Sequence, residues 1–310
     1  MHRQHASDNL ERQLAEAIQV ALEKRPALES VIKPFAAVLL RKIAITGEIE
    51  SLMKTPSPKI VPDRLASGVP VLADISLDIL TTPLAQALTD LLPDLKTSFP
   101  HLDADFSAIQ NSLDGHIDID ALAKACMTGD WLPLQMLAQN SGVLTEVWNF
   151  AVNWALSAVL TTARIGWMTP DDTACWSKGY CPFCGSLPSM AYLSKPEGPA
   201  DEFLPCGGGQ KFLHCALCGQ DWRFERNRCP ACDTNDKDHL VYYQETGELA
   251  ERFDTCRNCG RYLLCVDLRK SGALPSMDLA ALGMVHLDIL AREKGYRPMV
   301  WTPWNRVDTP

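Results

Sequence analysis

The chain has 310 residues, 46% of them apolar, and its 38 acidic side chains outnumber 29 basic ones to give a formal charge of −9. This length predicts roughly two domains of about 150 residues each, with enough apolar content for packed cores. The acidic balance argues against a protein whose main task is to grip nucleic-acid phosphates.

The first half of the chain is predicted to be helical. Ser7 or Asp8 is positioned to cap a helix that runs to about Lys24. Residues 54–70 contain four prolines and indicate an extended connector. Residues 144–163 are apolar on nearly all sides, which predicts the central, buried helix of a bundle. Further helices are expected at about 75–92, 118–127 and 132–139.

No membrane span and no export signal are predicted. The most apolar stretch, 151–166, includes Asn153 and Arg164 and is shorter than the roughly 18 to 20 apolar residues that a spanning helix needs. The N-terminal residues MHRQHASDNLERQL lack the apolar segment of a signal peptide. We therefore expect a cytoplasmic protein.

Cysteines are concentrated in the second half, where 10 of the 12 lie between Cys181 and Cys265. In a reducing compartment, dense cysteines are more typical of metal binding than of disulfides. Eight of them form CxxC pairs, whose spacing lets one tight turn direct both sulfurs at a single ion. The pairs are Cys181/Cys184, Cys215/Cys218, Cys229/Cys232 and Cys256/Cys259.

An internal repeat predicts how the pairs combine. The order of CxxC, strand, turn, strand, CxxC and strand occurs twice along the chain. It assigns Cys181, Cys184, Cys215 and Cys218 to one ion, and Cys229, Cys232, Cys256 and Cys259 to a second. An alternative in which the two middle pairs share an ion stays open, although it breaks the repeat.

Spacing does not choose the metal, because zinc and iron both accept four thiolates in a tetrahedron. A metal in such a small module supplies folding free energy, roughly 10 kcal/mol or more in zinc-finger peptides. The simplest interpretation is therefore that both ions only stabilise the fold.

The remaining cysteines and one histidine are expected to be ordinary residues. Cys126 and Cys175 are interpreted as free thiols, Cys206 as an exposed thiol, and Cys265 as a buried strand residue. His214 adjoins Cys215, but four thiolates already fill a site, so we expect it to pack in the core.

A basic run lies between the two repeats. Arg223 and Arg226 are candidates for binding an acidic partner surface. The alternative is that the whole run, up to Arg228, is simply a solvent-exposed face. No GxSxG, HExxH or kinase-like motif is present, so no enzymatic activity is predicted.

The predicted architecture is a multidomain α+β protein. It has an all-helical N-terminal domain, two tandem rubredoxin-like or zinc-ribbon modules, and a C-terminal helix packed back on one of them. The expected boundaries are 1–170 for the helical domain, 171–224 and 225–272 for the ribbons, and 273–310 for the helix and tail.

The strings CPFCGSLPSM, FLHCALCGQDWRFERNRCPACD and CRNCGRYL, followed by a helix ending in AREKGY, resemble the FdhE family of formate dehydrogenase accessory proteins. The resemblance is densest from Trp167 to about Tyr296, and the arrangement of parts extends it to the whole chain. It implies a cytoplasmic, non-enzymatic maturation factor that binds the catalytic subunit of formate dehydrogenase before export. It also implies two rubredoxin-like centres, with iron favoured over zinc.

Three other functions stay open at this point. A four-thiolate iron centre could pass one electron to the same client. A zinc ribbon could bind nucleic acid, although the charge balance opposes it and we expect no nucleic-acid partner. Thiol–disulfide exchange is opposed by metal occupancy of the thiolates. The oligomeric state is not indicated.

Overall fold

A computed structural model of the chain describes residues 2–53, 59–115, 117–195, 209–271 and 276–306. Its α-helices are α1 His2–Lys24, α2 Glu29–Glu48, α3 Pro62–Ala66, α4 Thr81–Ser98, α5 Asp103–Leu113, α6 Ile119–Thr128, α7 Leu132–Ser141, α8 Thr145–Trp167, α9 Met277–Gly283 and α10 Val285–Glu293. Its strands are β1 Met190–Leu193, β2 Lys211–His214, β3 Asp221–Phe224, β4 Leu240–Tyr243, β5 Glu251–Cys256, β6 Arg261–Asp267 and β7 Arg297–Pro298. The first eight helices form a helical part, followed by a mixed sheet and the last two helices.

The predicted central helix is α8. It is buried on nearly all sides, with Trp148, Leu156 and Leu160 fully enclosed, and α2 and α4 pack against it. Each such enclosed side chain contributes about 1.5–3 kcal/mol through burial of apolar surface. The expectation of a buried bundle centre is confirmed.

Local sequence signals set the ends of α6 and α7. The Asp118 carboxylate accepts a hydrogen bond from the backbone N–H of Ala121, which satisfies a free donor in the first turn of α6. Gly129 and Gly142 follow α6 and α7 in the left-handed conformation that glycine adopts without steric cost. By contrast, α1 begins at His2, ahead of the two residues expected to cap it.

The predicted extended connector is partly wrong. Residues 54–58 lie outside the described ranges, but Pro62–Ala66 forms the short helix α3, since proline is well suited to a first helical turn. Beyond it, Val71 N–H donates to the Pro182 carbonyl at 2.9 Å and Leu72 N–H to the Phe183 carbonyl at 3.0 Å. The two residues that follow the connector are thus bound to the first CxxC loop.

One sheet contains strands of both cysteine repeats. Its order is β3-β2-β1-β6-β5-β4, with β7 added beside β6. The strands of each repeat pair antiparallel, and β1 pairs in parallel with β6 in the register Met190↔Leu264. The two ribbon-like modules therefore share a continuous sheet, within an α+β architecture of the predicted kind.

The predicted C-terminal helix is divided into two. A break at Met284 separates α9 from α10. Helix α9 contacts α1, α2 and β1, whereas α10 contacts β5, β6 and β7. The segment therefore packs against the helical part and the sheet together, rather than on one ribbon.

Within the described ranges, no helix alone has the length and apolar character for a membrane crossing; α7 and α8 meet those criteria only as a pair, and they are bent by 116° at their junction.

Candidate metal centres

All four CxxC loops have the same backbone geometry. In each loop the residue after the second cysteine has a positive φ of 65–81°, and its N–H donates to the carbonyl of the first cysteine. A left-handed residue is needed here because the chain must turn sharply beneath the two sulfurs. The first, second and fourth loops in chain order have glycine at this position, and the third has aspartate. These residues are Gly185, Gly219, Asp233 and Gly260.

The structure brings the eight sulfurs together in two groups of four, each within 4.8 Å of one another. Site 1 denotes Cys181, Cys184, Cys215 and Cys218; site 2 denotes Cys229, Cys232, Cys256 and Cys259. Adjacent sulfurs are 3.5 Å apart in site 1, and 3.6 and 3.8 Å apart in site 2. The grouping follows the internal repeat, and the two middle pairs lie in different groups.

The geometry of both groups fits a tetrahedral thiolate site. Four ligands at the usual Zn–S distance of about 2.3 Å place neighbouring sulfurs about 3.8 Å apart. The measured separations lie within a few tenths of an ångström of that value. Both groups could hold a metal ion, and an all-sulfur donor set suits zinc or iron.

Burial changes the pKa of the thiols in site 1. Burial raises the pKa of the Cys181 and Cys218 thiols well above the usual value, since a lone thiolate is poorly solvated there. A bound dication would reverse this effect by stabilising the deprotonated sulfurs directly. In site 2, burial raises the pKa of Cys229, whereas hydrogen bonds from Asn258 and the Thr234 backbone outweigh burial and lower that of Cys232 to about 7.

Helix α8 and the segment just after the connector bond to the two loops of site 1. The Ser157 hydroxyl donates to the Ala216 carbonyl, and the Arg164 Nε donates to the Cys218 carbonyl, each at 3.2 Å. Val71 and Leu72, just after the connector, bond to Pro182 and Phe183 in the other loop. Site 1 therefore lies at the junction of the helical part and the sheet.

A buried charge network crosses the same junction. Lys42 Nζ of α2 lies 3.0 Å from Asp278 Oδ2 of α9 and donates to the Ser157 hydroxyl at 3.2 Å. The His214 ring is bonded to Asp278 at 3.2 Å and to Asp221 at 2.7 Å. Burial alone would lower the pKa of His214, but these two carboxylates raise it to about 10. Both ring nitrogens are therefore engaged, and His214 is a core residue rather than a metal ligand.

Site 2 lies closer to the surface than site 1. Arg257 and Asn258, inside its second loop, are exposed, and the Asn258 amide donates to the Cys232 sulfur at 3.4 Å. Cys232 and Cys259 are themselves only half-buried. The first loop packs its Pro230 carbonyl against Gly179, where a side chain would collide with it.

The other predicted free cysteines occupy varied environments. Cys175 is exposed, Cys126 is half-buried, and Cys265 is buried in β6, as expected for a strand residue. Burial raises the pKa of Cys126 and of Cys265 to about 12, which makes both thiols weak nucleophiles. Cys206 lies outside the described residues.

The candidate partner-binding arginines lie on and just after β3, a strand at the end of the sheet path. Arg223 is exposed on this strand, and Arg226 is exposed beyond it, with its guanidinium donating to the Gly209 carbonyl. Arg226 also lines a cavity of about 280 Å³ that reaches Cys229 and Cys256. Five basic side chains and one acidic side chain face this cavity: Lys211, Arg226, Arg228, Arg252, Arg269 and Asp254.

Sequence reasoning missed the residues that fix site 1 in place. Ser157 and Arg164 bond directly to a loop of site 1, whereas Lys42 and Asp278 act through Ser157 and His214. All four lie on helices that are remote in sequence, and Lys42 and Asp278 are 236 positions apart. No spacing or motif marks them, because each is an ordinary polar residue in a helical pattern. Only the buried location of Lys42 and Asp278 distinguishes them from surface charges.

Comparison with known proteins finds relatives along most of the chain. An FdhE homologue of Aquifex aeolicus is 27% identical over 90% of this chain and 89% of its own length. One from Edwardsiella ictaluri is 25% identical over 76% of this chain and 70% of its own length, and one from Haemophilus influenzae is 34% identical over 38% of this chain and 35% of its own.

A solved structure shares the fold. The crystal structure of the FdhE protein from Pseudomonas aeruginosa matches with a TM-score of 0.60 and 20% identity over 94% of both chains. The chain matches no protein-family model. This chain is therefore similar in sequence to an FdhE homologue over nine-tenths of its length, and it shares the fold of a solved FdhE protein over nearly its whole length.

Proposed function

We propose that this protein is a formate dehydrogenase accessory protein. It acts in the cytoplasm as a non-enzymatic binding protein that engages the catalytic subunit of formate dehydrogenase before that subunit is exported. The observation that carries the proposal is the pair of four-cysteine groups, set in a chain that resembles FdhE proteins over nearly its full length.

The chemistry of the cysteine groups supports binding rather than catalysis. Both candidate sites have four protein sulfurs, and a tetrahedral ion with four protein ligands has no open position for a substrate or water. We propose iron as the resident metal, following the family resemblance. Metal analysis of anaerobically purified protein, and its visible spectrum after mild oxidation, test this, since ferric thiolates absorb visible light and zinc thiolates do not.

The role in maturation is tested by deleting the gene in its own organism and measuring formate dehydrogenase activity. We expect activity to fall and to return when the wild-type gene is restored. Anaerobic affinity capture of the protein, followed by mass spectrometry, should recover the catalytic subunit with its export signal. Unchanged activity after deletion would contradict the proposed function.

The basic region around β3 is proposed as the client surface. Arg223 and Arg226 are exposed, and within the described residues Arg226 forms no ion pair with an acidic side chain. An acidic segment of the client would gain attraction to this region despite the net charge of −9. The other basic side chains at the cavity already pair with carboxylates, as Lys211 does with Asp254 at 2.8 Å.

Charge reversal tests this surface. Arg223→Glu and Arg226→Glu should each weaken client capture, and the effect should shrink at high salt because exposed charges are screened. Lys237→Glu, an exposed change in a turn of the second module, serves as the matched control. Client capture equal to the control would remove both arginines from the interface.

A further inference from the structure

The two candidate metal sites differ in sequence at the positions inside their loops. Site 1 has Pro-Phe and Ala-Leu between its cysteines, whereas site 2 has Pro-Ala and Arg-Asn. Pro182 and Phe183 are buried, while Arg257 and Asn258 are exposed. Every position inside the loops of site 1 is therefore apolar, whereas the second loop of site 2 presents polar, solvated side chains.

Tertiary contacts and burial add to this difference between the two sites. Both loops of site 1 are bonded to the helical part. Ser157 and Arg164 bond to one loop, and the backbone N–H groups of Val71 and Leu72 bond to the other. Three of its four cysteines are fully buried, and only Cys184 is partly exposed. Opening site 1 would therefore require breaking several tertiary contacts at once.

Site 2 has fewer restraints from the helical part: Pro230 of its first loop packs against Gly179, and the Gly260 carbonyl of its second loop accepts a hydrogen bond from the Arg297 N–H of β7 at 3.0 Å. In the part of the chain that the structure describes, neither loop of site 2 receives a hydrogen bond from α1–α8. The second module meets the helical part at the far end of β5, where Lys24 and Arg25 pair with Glu248 and Glu251 at 2.9 and 2.5 Å. Loops with few tertiary contacts open locally at low free-energy cost.

We propose that the two sites have unequal roles: site 1 is a permanent joint between the helical part and the sheet, and site 2 is the centre whose metal exchanges with external thiol or chelating ligands. The inference rests on the proposed binding of a metal at both sites. An incoming soft ligand would reach the metal of site 2 beside Cys232 and Cys259, the half-buried sulfurs. No electron transfer or bond-breaking step other than metal–sulfur ligand exchange is involved.

The experiment uses the full chain loaded with zinc and confirmed to hold two ions. The protein is mixed with excess EDTA and iodoacetamide, and samples are taken over time for metal content and for peptide mapping of alkylated cysteines. We expect one zinc to leave at least about tenfold faster than the other, since contacts around a site change metal retention by that order. Alkylation should appear first on Cys232 and Cys259.

Two matched variants assign the two phases. Asn258→Ala removes the hydrogen bond to Cys232 and should speed only the fast phase. Arg164→Ala removes the bond to the Cys218 carbonyl and should speed only the slow phase, and Arg164→Lys, which can still donate, should resemble the wild type. Asn258 lies in an exposed loop, so this variant is informative even if Arg164→Ala folds poorly.

Failure of the inference and failure of the proposed metal binding give different results. Two bound zinc ions that leave at one rate, or earlier alkylation of the site 1 cysteines, would overturn the unequal roles alone. A chain that retains fewer than two ions when freshly loaded would overturn the metal sites and the inference together. Acceleration of the fast phase by Arg164→Ala would also contradict the assignment.

Discussion

The buried Lys42 is expected to be one of the most important single polar residues for the stability of this fold. Its ammonium group lies 3.0 Å from Asp278 Oδ2 and 3.2 Å from the Ser157 hydroxyl, and both charged side chains are less than a tenth exposed. Replacement of Lys42 by methionine keeps most of the side-chain volume. It leaves Asp278 buried without this cation.

The magnitude follows from what remains around Asp278. Removing one partner of a buried ion pair costs about 3–5 kcal/mol, because the other charge stays buried. His214, protonated at neutral pH, still lies 3.2 Å from Asp278 Oδ1 and offsets part of that loss. We therefore expect the lower end of the range, about 3 kcal/mol. For a unit of 150–250 residues this corresponds to a Tm lower by roughly 6–12 °C.

The assay is thermal unfolding of the metal-loaded protein, followed by circular dichroism at neutral pH. Lys33→Met is the matched control, because Lys33 lies in the same helix but is exposed and pairs with the exposed Glu29. Exposed pairs of this kind contribute about 0.3–0.5 kcal/mol. In a double-mutant cycle, Lys42→Met combined with Asp278→Asn should cost about 2 kcal/mol less than the sum of the single changes.

Two results would refute this reasoning. A Tm for Lys42→Met equal to that of Lys33→Met would show that the buried pair adds nothing to stability. Strict additivity in the cycle would show that Lys42 and Asp278 do not stabilise each other across the junction.

Two further predictions concern pH and metal removal. Asp288 of α10 is buried, and its Oδ1 accepts a hydrogen bond from the Tyr262 hydroxyl at 2.6 Å. Burial raises the pKa of Asp288 from 3.8 to about 7, although Tyr262 and Arg292 both act to lower it. The folded state thus holds a proton that the unfolded state releases, so this contribution to stability is complete below about pH 4 and declines as the pH rises to about 7. In guanidinium unfolding, Asp288→Asn should remove this decline and raise the free energy of unfolding at pH 8 by up to about 4 kcal/mol. The control is Glu293→Gln, an exposed change on the same helix, which should leave the pH profile of stability unchanged. Chelation of both metals should unfold the small sheet while α4 and α8 keep their own apolar core, so hydrogen exchange should accelerate in β1–β6 far more than in those helices. Equal protection of the sheet with and without metal would contradict a folding role for the ions.

The cysteine groups could be predicted from sequence because their geometry is mostly local. A CxxC loop followed by a residue that tolerates positive φ, such as Gly185 or Gly219, directs two sulfurs to one side. The repeat of two loops joined by a hairpin then predicts which pairs meet, and the sulfurs of Cys181 and Cys218 do lie 3.5 Å apart. The buried α8 was equally predictable, since an all-round apolar helix has to be enclosed.

Tertiary structure alone decided how these parts are joined. The parallel pairing of β1 with β6 merges two repeats that sequence presents as separate, and nothing in the short strands encodes that register. The contacts of Arg164 and Lys42 with the region of site 1 come from packing of remote segments, which leaves no periodic signal in the chain. The sequence by itself thus determined which cysteine sulfurs form each group, because that grouping depends on a few neighbouring residues. Which site is buried and which is open depended on how the helical part packs against the sheet, because burial is a property of the assembled fold.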